Sequence, residues 1–285
     1  MRTALTIAGS DSSGGAGIQA DLKTFAAFGL YGVSAITAVT AQSTKGIEAS
    51  MALPADLVTA QIEAVAGDLE LQATKIGMLA NAAIAEAVAA AIAGLDLPLV
   101  VVDPVLVSSS GERLLDEDGV RVLCTELLPL ARVVTPNIPE AEALSGRRIH
   151  SLDDAYVAAR RIQDMGAAAV IITGGHRFDE VRGAERDVRG GPSEVVDLVF
   201  DGAAFFEMRV PRVDSRHTHG TGCTFASAVA ALLAQGHQLA DAAARAQQYV
   251  AGAIRHAPQL GRGRGPLDHF WQRSMTRDAP GSPLY

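Results

Sequence analysis

The residues best suited to chemistry in this chain are His217-Thr218-His219-Gly220-Thr221-Gly222-Cys223-Thr224. Glycines and a threonine precede an apolar stretch of helical spacing, 224–235. Backbone amides left free at a helix start can hold an anion, and the helix dipole favours negative charge there. Cys223 would stand at that start, where a thiol pKa drops below its free value of about 8.5. A small cysteine packed into a tight turn is the structural alternative. Asp103 ends the apolar run 98–102, and Asn137 and Glu140 follow Thr135-Pro136. Two carboxylates and an amide can hold Mg²⁺, which prefers oxygen ligands. The same spacing of Asn137 and Glu140 is that of a helix capping box, and both roles can hold at once.

A second group could read a ring. Gln42 presents a donor beside an acceptor, as an amide does to the edge of adenine. Met78 could lay its sulfur on an aromatic face. Judged singly, a polar loop residue and a core methionine are the plainer readings. Gly9-Ser10-Asp11-Ser12-Ser13-Gly14-Gly15-Ala16-Gly17 leads from a strand into a helix whose amides could cradle a polar ligand. It is not a GxxxxGK[ST] loop. Asp21 lies three residues after Ile18 and four before Phe25, on an apolar helix face. A carboxylate there must be paired, hydrogen-bonded or at a cleft. The histidines show no metal-ligand spacing such as HExxH.

These residues need strand ends and helix starts to hold them. Strands are expected at 4–8, 34–41, 73–77, 99–103, 132–135, 169–173, 194–200 and 204–210. Helices are expected at 18–28, 54–68, 82–95, 117–128, 139–145, 153–165, 224–235 and 239–255. The alternation implies an α/β fold with a central, mostly parallel sheet and helices on both faces. Continuously apolar runs mark strands covered on both sides. Asp201-Gly202 signals a hairpin, so the sheet should end in an antiparallel edge. In such sheets ligands bind beyond the carboxyl ends of the strands, where these residues fall. The stretch 177–193 reads as a surface flap, residues 1–271 as one domain and 272–285 as a loose tail.

The net charge of −8 argues against nucleic acid or an anionic membrane as partner. Two cysteines, Cys124 and Cys223, give no disulfide framework and suit a cytoplasmic location. No signal peptide or membrane span is legible.

Taken together, the motifs resemble the hydroxymethylpyrimidine/phosphomethylpyrimidine kinases of thiamine biosynthesis. They are 4–11 with 14–25, Thr74-Lys75-Ile76-Gly77-Met78-Leu79, Asp103-Pro104-Val105, Thr135-Pro136-Asn137 with Glu140-Ala141-Glu142, and 219–224, in order from about residue 3 to residue 270. The resemblance implies a ribokinase-like fold and two successive transfers from ATP, to a hydroxymethyl oxygen and then to the resulting phosphate. It implies that Gly9, Ala16, Asp21, Gln42, Met78 and Val105 line the pyrimidine site. Asp103 and Glu140 would serve magnesium, with Asn137 and Thr173 beside the ATP phosphates. Gly220, Thr221 and Gly222 would form the anion hole, with Cys223 as base. A homodimer is expected. Thr173 departs from the family, which usually has a lysine there; the arginines of 177–189 could replace that charge. Pyridoxal kinase, of the same fold, is the nearest alternative. A non-catalytic pyrimidine sensor is a more distant one, against which the intact 220–223 motif speaks.

Overall fold

The structure, a computed structural model, describes residues 1–108, 111–174 and 194–273. The flap read at 177–193, with its arginines, and the tail beyond 273 lie outside the described residues.

The chain forms a nine-stranded sheet in the order β3-β2-β1-β4-β5-β6-β7-β8-β9. The strands are β1 (Thr3–Asp11), β2 (Tyr31–Ser43), β3 (Gly46–Ala52), β4 (Ala73–Ile76), β5 (Val100–Val102), β6 (Val133–Val134), β7 (Val170–Ile172), β8 (Glu194–Phe200) and β9 (Phe205–Pro211). From β2 through β1 to β7 every pairing is parallel. Both margins are antiparallel: β3 on β2, and β8 and β9 beyond β7. The hairpin expected at Asp201-Gly202 is present, with the Asp201 carboxylate accepting the amides of Ala203 and Ala204. β3 is the strand that sequence reading missed, because its residues are polar or exposed and lack a buried face.

Helices cover both faces. Strand side chains alternate between two cores: Leu5, Ile7, Val100, Val102, Val170 and Ile172 face one, and Ala4, Val101, Ala169 and Ile171 the other. The first core is closed by α2 (Ala55–Ala66), α3 (Ala82–Leu95), α4 (Glu117–Val122), α5 (Ile138–Ser145) and α6 (Leu152–Gln163). After α4 the chain continues as a π-helical turn, Leu123–Leu127, in place of the single helix read over 117–128. The second core is closed by α1 (Gly17–Ala27), α7 (Thr221–Ala234) and α8 (Leu239–Arg255). Every residue of α7 from Thr224 to Ala234 is buried. Such an all-apolar helix is stable only when enclosed, here between the sheet and α8. That rigid burial fixes where its N-terminus points.

Connectivity places the site. The chain runs from β1 outward to β2 and β3, then returns to pair β4 on the other side of β1. Adjacent connections therefore leave β1 in opposite directions, opening a crevice at its carboxyl end.

Candidate active site

A cavity of about 280 Å³ lies in this crevice. Its walls come from the carboxyl ends of β1, β2, β4 and β5, the start of α5 and the start of α7.

The β1–α1 loop is organised by Asp11. This buried carboxylate accepts the amides of Ser13 (2.8 Å), Gly15 (3.1 Å) and Ala16 (2.8 Å) and the Ser13 hydroxyl (3.0 Å). His219 Nε2 stands 2.8 Å from the same carboxylate. Burial alone would raise the acid's pKa, but the His219, Ser13 and Ala16 bonds outweigh it and hold it at about 2. Two glycines make the close approach possible. A Cβ on Gly17 (φ +56°) would lie 2.3 Å from the Gly9 carbonyl, and one on Gly220 (φ +83°) 1.9 Å from the Gly15 carbonyl.

Gln42 lines the cavity from β2. Its terminal amide lies 3.3 Å from His219 Nε2 and 3.0 Å from Thr40 Oγ1. The amide nitrogen is the atom that faces His219 Nε2. Gln42 Oε1 accepts from Thr40 Oγ1, which shares its proton with the Ser10 carbonyl (3.0 Å). Thus oriented, Gln42 keeps one N–H and one lone pair for a ligand. Met78 packs opposite, with its sulfur 3.1 Å from where a Gly9 Cβ would stand. Gly9, Ala16 and Val105 complete this part of the wall.

Asp21 does not join them. It is fully buried beneath the cavity, accepting Thr6 Oγ1 (2.7 Å), Ser227 Oγ (2.7 Å) and Lys75 Nζ (3.0 Å). The expectation that it lines a pyrimidine pocket is therefore corrected: its position on the apolar face of α1 turns it into the sheet. Lys75, from β4, lines the cavity instead. Its side chain has no solvent exposure, and Nζ lies 3.9 Å from Asp103 Oδ2. Burial would strip the lysine of its proton, but Asp21 foremost, with Cys223 and Asp103, keeps it a firm cation.

The polar end of the cavity gathers Asp103, Asn137, Glu140 and the α7 start. Asn137 and Glu140 form the expected capping box, with Asn137 Oδ1 accepting the Glu140 amide (3.0 Å) and Glu140 Oε2 the Asn137 amide (2.9 Å). Burial raises Asp103 to about 6, only partly offset by Lys75, and burial with Asp103 nearby raises Glu140 to about 8. Asp103 Oδ2 is buried and has no hydrogen-bond partner among the described residues. Thr173 sits outside the wall, its amide donating to the Pro136 carbonyl (2.9 Å).

Helix α7 begins at Thr221, three residues before the expected start. Its cap, Gly220, contributes no capping side chain; the Thr221 amide turns to the Thr218 carbonyl (3.4 Å), and Gly222 and Cys223 line the cavity mouth. The Thr221 hydroxyl is used locally, donating to the Thr218 carbonyl (2.7 Å). Cys223 lies at this start and keeps part of its surface open to the cavity. Its thiol is not lowered as helix position implied. Burial pushes it up to about 12, with Asp103 and Asp21 adding to the rise and Lys75 and the Gly17 amide opposing it. Desolvation and two carboxylates outweigh the helix dipole. The thiol is hydrogen-bonded to Asp103.

Among the described residues, no three His, Cys, Asp or Glu side chains gather as a metal cluster. Two carboxylates with an orphaned oxygen are nonetheless a fitting pair for Mg²⁺, which takes few protein ligands and keeps waters and phosphate oxygens.

Comparison with known proteins agrees with this geometry. Residues 11–268 match the family described as phosphomethylpyrimidine kinase. The hydroxymethylpyrimidine/phosphomethylpyrimidine kinases of Streptomyces coelicolor and Bacillus subtilis are 46% and 45% identical, each over 94% of both chains. A thiamine biosynthesis bifunctional protein of Geobacter sulfurreducens is 47% identical over 96% of this chain, which spans about half (53%) of that longer protein. Among solved structures, a phosphomethylpyrimidine kinase from Clostridium difficile superposes with a TM-score of 0.76 at 39% identity, covering 89% of this chain and all of that one (100%). An ADP complex of Bacillus subtilis pyridoxal kinase superposes with a TM-score of 0.84 at 35% identity, covering 96% and 99% of the two chains. The fold is ribokinase-like, the protein is a kinase, and the chain belongs to the phosphomethylpyrimidine kinase family.

Proposed function

We propose that the chain transfers the γ-phosphoryl group of ATP to the hydroxymethyl oxygen of 4-amino-5-hydroxymethyl-2-methylpyrimidine, and a second such group to the monophosphate so formed. The observation that carries this reading is one cavity with two unlike ends. Gln42, Met78 and Gly9 form a ring-reading end, and Asp103, Glu140, Cys223 and the uncapped start of α7 a phosphate-reading end.

Gln42 offers an N–H to a ring nitrogen and an oxygen to the neighbouring amino group. Gly9, Ala16, Met78 and Val105 enclose the ring. The hydroxymethyl oxygen attacks the γ-phosphorus, the bond to the bridging oxygen breaks, and ADP leaves. The hydroxyl proton passes to the Cys223–Asp103 couple as the transfer completes. Phosphoryl transfer has a loose transition state, so a late proton acceptor suffices. Amides of Gly220, Thr221, Gly222 and Cys223 face charge developing on the phosphoryl oxygens. The second transfer starts from an ionised phosphate and needs no base. Asp103 and Glu140 would hold Mg²⁺, with Asn137 beside the ATP phosphates. When bound, the ion neutralises phosphate charge. Thr173, next to Asn137 through the Pro136 contact, leaves that region without the family's usual lysine.

A pyridoxal kinase reading has support in the pyridoxal kinase neighbours. Gln42 favours the aminopyrimidine, because pyridoxal lacks an amino group beside its ring nitrogen. We also infer a homodimer in the reducing cytoplasm. Val39 and Met51 pair across β2 and β3 with 44% and 65% exposure, an apolar pair a second copy could cover, and both cysteines are free. Phosphate transfer from ATP, with products resolved by mass, tests the reaction. A chain that turns over pyridoxal faster than the aminopyrimidine refutes the substrate assignment.

A further inference from the structure

Gln42 and His219 also line a second concavity, of about 510 Å³. The β2–β3 turn, Ser43 to Gly46, forms one side and Arg262-Gly263-Arg264 the other. Lys45, Arg216, Arg262 and Arg264 all line it, and among the described residues no aspartate or glutamate does. The chain as a whole carries 32 acidic against 24 basic side chains. Four cations around one hollow therefore run against the composition, and surfaces without a ligand to hold usually intersperse the signs.

The convergence is built into the backbone. The Gly263 amide donates to Thr44 Oγ1 (3.2 Å) and the Arg264 amide to the Thr44 carbonyl (2.8 Å). A Cβ on Gly263 would stand 2.0 Å from that carbonyl. Only glycine permits this approach, and it sets the two flanking arginines across the turn from Lys45. Arg216 enters from the segment before α7, where its Nε donates to His217 Nε2 (3.2 Å).

We propose that this hollow is a second anion site, taking the phosphate group of a phosphorylated small molecule. Guanidinium forks match phosphate oxygens in pairs, and a lysine ammonium adds a point charge. The site is separate from the α7 start, yet it shares Gln42 and His219 with the ring-reading cavity. An anion here draws on the β2–β3 turn that carries Gln42, so its occupancy changes affinity for the pyrimidine. The anion site stands without the kinase reading; only this coupling to turnover rests on it.

The test is calorimetric titration of the full chain with inorganic diphosphate, against Lys45→Gln, Arg216→Gln, Arg262→Gln and the triple variant, with melting curves to confirm folding. Each single replacement should weaken one binding event by about tenfold, the loss of one charge-assisted bond. The triple variant should abolish that event and leave the α7 event in place. Titration with the pyrimidine monophosphate then separates the sources. Tighter binding of the ester than of free diphosphate assigns a substrate or product site, and the reverse assigns a free-anion site. Wild-type affinity and stoichiometry in the triple variant would overturn the proposal. Failure of phosphate transfer with diphosphate binding intact would sink the kinase reading alone.

Discussion

Replacing Lys75 by methionine tests the electrostatic arrangement beneath the cavity. The ammonium lies 3.0 Å from Asp21 and 3.9 Å from Asp103, with no solvent around it. At an effective dielectric of about 20, those attractions are roughly 5.5 and 4 kcal/mol. Desolvation of the three groups opposes them, so the net value of the cluster is far smaller than the sum. Removing one partner is different, because it strands a charge that has already lost its water. The expected loss is about 3–5 kcal/mol, which lowers the melting temperature by roughly 6–20 °C. Asp21 would be stranded most severely, since it is fully buried and its hydroxyl donors, Thr6 and Ser227, are neutral. The double variant Lys75→Met/Asp21→Asn removes both charges while keeping a polar partner for those hydroxyls, so it should recover most of the loss.

Activity supplies a second readout. Lys75 restrains the rise of the Asp103 pKa. Without it, the acid limb of the kcat/KM profile, which reports the free enzyme, should move to higher pH. Calorimetric melting and a pH–rate series on the single and double variants check both. If Lys75→Met melts within about 1 kcal/mol of the parent and leaves the acid limb in place, the ion cluster does not have the role argued for it.

Other outcomes follow from the site. Cys223→Ala should slow the first phosphorylation by about 10²–10⁴ and the second much less; equal losses in a two-step product assay would assign Cys223 to packing. Gln42→Leu should weaken aminopyrimidine binding by about 1–3 kcal/mol, while pyridoxal affinity changes little in direct titration. Asp103, Glu140 and Asp197 have folded pKa values raised to about 6, 8 and 6 by burial. The folded state therefore binds more protons than the unfolded one, so these groups cost stability as pH rises from about 4 to 8. Asp11, held at about 2, acts oppositely: its contribution is present above about 4 and fades as pH falls toward 2. Mg²⁺ should raise the melting temperature more at pH 8 than at pH 5, and an equal effect at both would argue against Asp103 and Glu140 as its ligands.

Much of this was legible in the sequence because the apolar runs were long and the turns well marked. The parallel strands, the 194–211 hairpin and helices α3 and α8 follow from pattern alone. β3 escaped because an exposed edge strand has no buried face to impose alternation. The Asn137–Glu140 capping box needs only spacing that three residues display. Lys75 was missed, although a lysine inside the fully buried strand Ala73–Ile76 is itself a signal. Asp21 on an apolar helix face was the matching signal of opposite sign. Each charge was anomalous alone, and pairing them would have placed Asp21 under the sheet instead of in the pocket. The Cys223 thiol was misread for a different reason. Helix position is written in the sequence, but desolvation and the approach of Asp103 depend on contacts between distant segments.

Those long-range contacts also explain how one cavity can orient its two ends. His219 belongs to the segment that opens α7, and its ring packs against Gly15, where a Cβ would stand 2.5 Å from Cδ2. The same ring is held by Asp11 and in turn faces the Gln42 amide. The proposed ring-reading end on β2 and the proposed anion hole at α7 are thus registered through one imidazole seated in the β1–α1 loop. A shift of that loop would misalign both ends together, and misplacement by about 1 Å can cost a hundredfold in rate. Asp11→Asn leaves the loop an acceptor but removes the charge that fixes the His219 proton. With that proton free to move to the other nitrogen, Nε2 becomes an acceptor that holds the Gln42 amide nitrogen and draws it away from a ligand. Discrimination between aminopyrimidine and pyridoxal should therefore fall more than the maximal rate with the aminopyrimidine, a split that simple unfolding of the loop would not produce.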